Sequence, residues 1–175
     1  MFGHEDEIRL LVCGSRDFAD RRGLSSPRLR SGVINDLEIM RQQLKGFPRI
    51  DWLIHGAAEG ADLAAAHLMK FEFGIPEDHI LSFPAKWNAY GIGAGPKRNG
   101  QMLEEGKPNR VLAFFSDVGA SRGTANMVYQ ALRAGLVVKC VERKSRRIFF
   151  ATNIVARPDD WTNLVRRRED LIGKF

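Results

Sequence analysis

The chain has 175 residues, a hydrophobic content of 44% and a formal net charge of +6 at pH 7. This length suits one domain whose hydrophobic core is large enough to be stable without disulfides or a bound metal. No apolar run approaches the roughly 20 residues of a membrane span, and the acidic first residues differ from the basic start of a signal peptide. These features argue against secreted, membrane and disordered classes, and we expect a cytoplasmic protein.

Two cysteines, Cys13 and Cys140, lie in apolar runs of strand character. Such positions predict buried thiols in a reducing compartment. The sequence has no C-x-x-C motif and no His/Cys cluster. We therefore expect neither a metal nor a cofactor.

Most of the net charge lies near the C-terminus. Residues 143–175 contain nine Lys/Arg against four Asp/Glu, which is +5 of the total of +6. We favour a solvated basic face as the interpretation of this segment. Contact with nucleic acid or with an acidic partner is the alternative.

Apolar segments of strand length alternate with helical segments. Strands are predicted at residues 8–12, 51–54, 80–83, 111–115 and 136–141. Helices are predicted at residues 33–44, with Ser31 as the N-cap and Gly46 just past the end, at 61–68, at 97–105 behind Pro96, and at 124–134 before Gly135. This order predicts an α/β fold, a Rossmann-like doubly wound and mainly parallel sheet with helices on both faces.

We predict two parts, a Rossmann-like domain over residues 1–142 and a basic C-terminal extension over residues 143–175. The extension begins with a sixth strand at residues 148–150 and continues with a helix that Asp159 or Asp160 caps. One face of that helix is apolar, and we expect it to pack on the body or on a partner subunit. Its residues are Trp161, Leu164, Val165, Ile172 and Phe175.

In a doubly wound sheet, ligands bind beyond the carboxyl ends of the strands, where the strand order reverses. The loop after the first strand contains Gly14, Ser15 and Arg16. The glycine allows a ligand to approach the backbone, the serine adds a hydroxyl, and the arginine offers a planar fork for phosphate or carboxylate. This loop is therefore a candidate anion site.

The loop after the second strand contains Gly56 and Gly60 and opens a helix whose amides can face an anion. Asp62 in the first helical turn either compensates the helix dipole or accepts a hydrogen bond from a ribose hydroxyl. His55 ends the second strand, and we favour a structural role for it, with its ring bonded to backbone, over that of a general base.

The loops after the third and fourth strands carry aromatic and cationic side chains. Trp87 and Tyr90 suit either base stacking or the packing of a lid. Cations beside helix amides suit a phosphate group at both helix starts. The residues concerned are Lys97, Arg98 and Asn99 in the third loop and Arg122, Gly123 and Thr124 in the fourth.

Taken in order, the segments GSRDF, HGAAEGAD, FPAKWNAYGIGAGPKRNGQM and SRGTANMV resemble the YspA/YpsA-related branch of the SLOG superfamily. Lonely guy phosphoribohydrolases and DNA-processing protein A are other members of that superfamily. The resemblance covers roughly residues 8–141. It implies a Rossmann-like fold that binds a nucleotide or nucleotide-derived ligand between the glycine-serine-arginine and glycine-threonine loops.

The chain departs from the Lonely guy enzymes at the residues that cleave an N-glycosidic bond. Their motif P-G-G-x-G-T-x-x-E ends in a glutamate, and Met127 occupies that place here. Asp62 and Glu59 are the candidate catalytic carboxylates that remain.

We order the functions as follows: binding of a nucleotide or ADP-ribose-like ligand, hydrolysis of a nucleotide N-glycosidic bond, and nucleic-acid binding through the basic extension. By analogy with proteins of this fold, we expect a homo-oligomer.

Overall fold

The structure, a computed structural model, describes residues 7–22, 26–151 and 165–166. The strands are β1 Arg9–Gly14, β2 Trp52–His55, β3 Ile80–Ser82, β4 Arg110–Phe115, β5 Val138–Glu142, β6 Arg147–Ala151 and β7 Val165–Arg166. The helices are α1 Pro27–Lys45, α2 Ala61–Phe71, α3 Trp87–Tyr90, α4 Ala94–Glu104 and α5 Arg122–Arg133. The strand order is β3-β2-β1-β4-β5-β6, and the two-residue β7 extends the sheet beside β6.

The predicted α/β fold with a mainly parallel sheet is confirmed. Strands β1 to β5 pair in parallel, and β6 and β7 are antiparallel. The order is compatible with a Rossmann-like fold, because strands are added first on the β2 side of β1 and then on the β4 side. The order therefore reverses between β1 and β4.

Two buried clusters lie on the two faces of the sheet. Leu10 and Val12 of β1 belong to the cluster that includes residues of α1 and α2. Leu11 and Cys13 belong to the cluster that includes residues of α4 and α5. Successive residues of β1 thus pack on opposite faces, which explains why the strand is apolar throughout.

Helix α1 begins earlier than the sequence predicts, and the assignment of Ser31 as its N-cap is wrong. The helix begins at Pro27 after Ser26, and Ser31 lies within it. Proline suits the first helical position, because its fixed φ is helical and its missing N–H has no partner there. Gly46 follows the last residue, as predicted.

Helices α4 and α5 also begin two or three residues before their predicted starts. Pro96 is the third residue of α4, a position whose amide has no acceptor within the helix. A proline there does not break the helix. The short helix α3 and the 3₁₀ turn Gly91–Gly93 lie in a segment where the sequence pattern indicates only a loop.

The predicted sixth strand is confirmed as β6, which pairs with β5 in a hairpin. The tail helix is wrong at Val165, which instead pairs in β7 with Ala151 of β6. A β-branched residue beside the open edge of β6 favours this pairing. The remainder of the predicted tail helix lies outside the described residues.

Cys13 and Cys140 are buried free thiols, as predicted. Burial raises the pKa of both thiols above the ordinary value. Among the described helices, none combines the length and apolar character required to cross a bilayer.

Candidate functional site

A cleft of about 850 Å³ lies at the carboxyl ends of β1, β2 and β4. The loops that follow these strands form its walls, together with the first turns of α4 and α5. The cleft is therefore at the reversal of strand order, where the sequence analysis expects a ligand. It contacts twelve of the predicted site residues: Gly14, Ser15, Arg16, Gly56, Glu59, Asp62, Trp87, Arg98, Asn99, Arg122, Gly123 and Thr124.

The loop after β1 is fixed to the loop after β4. Ser15 donates its amide to the carbonyl of Phe114 at 2.8 Å, and its hydroxyl oxygen accepts the amide of Ser116 at 3.1 Å. A Cβ at Gly14 would lie 2.4 Å from the Cβ of Ala61. Close packing of α2 therefore requires this glycine whether or not a ligand approaches it.

Arg16 and Trp87 face each other at the mouth of the cleft. The Arg16 guanidinium carbon lies 5.7 Å from the centroid of the Trp87 ring. Trp87 is 48% exposed, so much of its side chain is open to solvent. An exposed indole beside a cation can stack against the flat ring of a ligand.

Arg98 crosses from α4 to the loop after β2. Its guanidinium donates to the carbonyl of Gly56 and, through Nε, to Oδ1 of Asn99 at 3.0 Å. A Cβ at Gly56 would overlap the guanidinium. Gly56 therefore makes room for an arginine of the protein itself.

Asp62 is buried and accepts backbone hydrogen bonds from the same loop. Its Oδ2 accepts the amide of Gly56 at 2.8 Å and that of Ala58 at 3.4 Å. Burial raises the pKa of this carboxyl to about 6, although Arg98 and the backbone amides oppose the rise. Asp62 is thus able to gain or lose a proton near neutral pH.

The backbone amides just before α2 and at its first residue are bonded within the protein. The amides of Gly56 and Ala58 go to Asp62, that of Ala57 to Nδ1 of His55 at 3.1 Å, and that of Ala61 to the Ser15 carbonyl. Of the α2 amides that were expected to face an anion, that of Ala61 is therefore already bonded within the protein, and the three loop amides before it are bonded as well.

His55 is buried, and burial together with Arg98 lowers its pKa to about 4. Its ring is neutral at pH 7, with Nδ1 occupied as an acceptor. This geometry matches the structural role that the sequence analysis favours over a general base.

The start of α5 presents a different arrangement. Arg122 and Gly123 are exposed, and Thr124 is buried and accepts a hydrogen bond from the Ser121 hydroxyl at 2.7 Å. The first amides of a helix have no acceptor within it. The start of α5, together with the Arg122 side chain, is therefore the better candidate for an anion.

Asn99 is buried between α4 and α5. Its Nδ2 donates to Oδ1 of Asn126 at 3.0 Å and to the Gly123 carbonyl at 3.3 Å. Gln130 donates to the same Asn126 oxygen at 2.7 Å. Asn99 therefore holds the two helices in register at the wall of the cleft.

Two predicted site residues lie outside the cleft. The Lys97 ammonium is 3.7 Å from the Tyr90 ring centroid and borders an adjoining groove, which shares Arg98 with the cleft. A Cβ at Gly60 would lie 2.3 Å from the Arg16 carbonyl oxygen, so Gly60 packs against the β1 loop. Glu59 borders the cleft but is half-exposed, with its carboxylate 3.8 Å from Arg22.

Sequence reasoning gave no role to Asp17, Asp117 and Asn126, which also border the cleft. Asp17 directly follows the glycine-serine-arginine segment, and Asp117 directly follows Ser116. Their positions just after two strands could have predicted that they border the cleft. The cleft thus combines cations at its mouth with carboxylates along its sides. Within the described residues, no group of three His, Cys, Asp or Glu side chains is placed to hold a metal ion.

No protein-family model, curated protein or solved structure matches this chain.

Proposed function

We propose that the protein binds a nucleotide or a nucleotide-derived ligand of the ADP-ribose type in this cleft. The observation that carries the proposal is the convergence of Arg16, Arg122 and the start of α5 on one cleft with an exposed Trp87 at its mouth. Cations and free helix amides suit phosphate, and an exposed indole suits a base. The resemblance of the four loops to the SLOG superfamily supports the same ligand class.

The phosphate group takes the end of the cleft formed by the β1 loop and α5. Arg16 and Arg122 are exposed there and can neutralise it. The buried carboxylate of Asp62 disfavours a second anion deeper in the cleft. It suits instead the hydroxyl groups of a ribose, which donate hydrogen bonds.

Calorimetric titration of AMP, ADP and ADP-ribose tests this assignment. Arg16→Ala is expected to weaken binding of the phosphate-bearing ligands by about tenfold, the value of one charge-assisted hydrogen bond. Arg133→Ala is the control, because Arg133 is an exposed cation at the far end of α5. Unchanged affinity in the Arg16→Ala variant would contradict the proposal that the ligand binds in this cleft.

Hydrolysis of a nucleotide N-glycosidic bond is the second candidate. It is favoured by Asp62, a carboxyl in the cleft whose raised pKa of about 6 suits an acid or base near neutral pH. Met127, which occupies the motif position of the Lonely guy glutamate, lines the cleft and offers no carboxylate there. Chromatography of nucleoside monophosphates after incubation with the protein tests this candidate, and the absence of free base from every substrate would exclude it.

Nucleic-acid binding through the basic extension is less well supported. Arg143 pairs with Asp17 and Asp36, Lys144 with Asp117, and Arg147 with Glu142. These cations have partners within the protein, which reduces the charge they offer to phosphates. A gel shift that weakens steeply with salt would favour this function over the first two.

We also propose that the protein forms a homo-oligomer. Native mass spectrometry measures the number of chains in the assembly and the mass of any ligand retained with it.

A further inference from the structure

The hairpin between β5 and β6, residues 142–147, continues the backbone pairing beyond the end of β4. Arg143 donates its amide to the Phe115 carbonyl at 2.8 Å, and Lys144 donates to the Ser116 carbonyl at 3.1 Å. The hairpin is therefore fixed directly beside the loop that leads from β4 to α5. That loop forms one wall of the cleft.

The Arg143 side chain joins this hairpin to α1 and to the β1 loop. Its guanidinium lies 2.5 Å from the Asp36 carboxylate and 3.2 Å from the Asp17 carboxylate. It also lies 5.6 Å from the ring centroid of Phe18. Asp36 is buried and accepts the amide of Ala19 at 2.9 Å, so the β1 loop is held at both of its ends.

Asp17 connects this network to the rim of the cleft. Its Oδ1 accepts the Ser116 hydroxyl at 2.7 Å, while its Oδ2 accepts Arg143. Burial raises the pKa of Asp36, and Arg143 opposes that rise. Without Arg143, the buried Asp36 carboxylate would lose its charge partner.

A second set of contacts holds the loop after β4. Oε1 of Glu142 accepts the amide of Val118 at 2.9 Å, and the Lys144 ammonium lies 2.5 Å from the Asp117 carboxylate. Ser145 donates its hydroxyl to Glu142 from within the hairpin. The same hairpin therefore contacts both loops at the phosphate end of the cleft, although its own residues do not line the cleft.

We propose that the β5–β6 hairpin is a brace that sets the spacing between the loop at residues 14–18 and the loop at residues 116–120, with Arg143 as the positioning residue. The role for the ligand rests on the proposed nucleotide function, but the brace itself is a property of the free protein. The first basic residues of the extension thus act within the molecule, because they fix the walls between which a phosphate would sit.

The test uses a variant that removes both charges of the pair between Arg143 and the buried Asp36. Arg143→Met alone leaves Asp36 buried without its partner and is expected to destabilise the whole domain. The double variant Arg143→Met/Asp36→Asn leaves no unpaired buried charge, and it still removes the ion pair between Arg143 and Asp17. Arg146→Met is the control, since it removes an exposed cation from the same hairpin.

Hydrogen exchange of the ligand-free proteins measures the brace directly. Amides of residues 15–19 and 116–118 are expected to exchange about tenfold faster in the double variant, while those of β1 and β4 and those of the control keep the wild-type rate. Unchanged exchange in both loops overturns the brace.

Calorimetric titration with ADP then tests the positioning role. The double variant is expected to bind ADP about tenfold more weakly than the wild type, and Arg146→Met to bind it equally well. Faster exchange with unchanged ADP affinity overturns the positioning role of Arg143. If the wild type does not bind ADP, the proposed function fails, and the exchange rates alone decide whether the brace exists.

Discussion

Asp62 and His55 both accept amides of the loop after β2, and burial shifts their two pKa values in opposite directions. The pKa of Asp62 rises from 3.8 to about 6, and that of His55 falls from 6.5 to about 4. Between pH 4 and 6, the folded Asp62 keeps a proton that the unfolded chain has lost, so raising the pH lowers the free energy of unfolding. Over nearly the same interval, His55 has the opposite effect, because its unfolded form binds the proton.

The variant Asp62→Asn separates these two effects. It removes the loss of stability that ionisation of Asp62 causes as the pH rises, and it leaves the gain that comes from His55. The free energy of unfolding is therefore expected to rise more steeply between pH 4 and 6.5 than in the wild type. The difference in that rise is about 3 kcal/mol, from about two units of pKa at 1.36 kcal/mol each. Urea unfolding at several pH values measures it.

His55→Gln is the reciprocal variant and is expected to flatten or reverse the rise. Parallel curves for Asp62→Asn and the wild type would show that Asp62 ionises in the folded protein as easily as in the unfolded chain.

At the scale of elements, the contact between the start of α2 and the β1 loop determines the shape of the cleft floor. Gly60 precedes α2 with a φ of 82° and a ψ of −127°, a conformation that only glycine adopts readily. A Cβ there would lie within 2.5 Å of the carbonyl oxygens of Ser15 and Arg16. The α2 start can approach the β1 loop only because residue 60 has no side chain.

We predict that Gly60→Ala destabilises the domain by at least about 2 kcal/mol, from backbone strain and overpacking together. Gly74→Ala is the matched control, because Gly74 also has a positive φ, 68°, but open space around its Cα. The control carries only the conformational strain, about 1 kcal/mol. Denaturant unfolding compares the two, and equal losses would show that the close contact at Gly60 does not matter.

Strands β1 to β6 could be predicted from sequence because each contains a short apolar run, whereas the two-residue β7 contains none. The start of α1 could not, since its first residues do not show the apolar spacing that begins at Val33. The network of Arg143 with Asp17 and Asp36 was also beyond sequence reasoning. Arg143 is more than 100 residues from both carboxylates in sequence and becomes their neighbour only when β5 pairs with β4.

For the candidate site, chain order after the strands was sufficient to bring twelve predicted residues to one cleft. It was not sufficient to tell ligand contacts from internal ones. Gly56, for example, has the small size expected of a ligand loop, but the group that approaches it is Arg98. Such internal partners are visible only when the helices are placed on the sheet.

At the scale of the whole molecule, ion pairs within the protein determine which cations remain exposed at the cleft. The basic segment 143–147 uses three of its cations in pairs with Asp17, Asp36, Asp117 and Glu142. Arg16 and Arg122 remain exposed at the mouth of the cleft. This arrangement supports the proposal of a small anionic ligand.

Native mass spectrometry of the full chain, titrated with ADP-ribose, AMP and ADP, tests the central claim most directly. We expect one ligand per chain, with ADP-ribose or ADP bound more tightly than AMP, since the proposal places a diphosphate between Arg16 and Arg122. The same spectra give the number of chains in the assembly. Failure of all three ligands to bind at about 1 mM, the weak end of specific affinities, would contradict the assignment of this cleft to nucleotides.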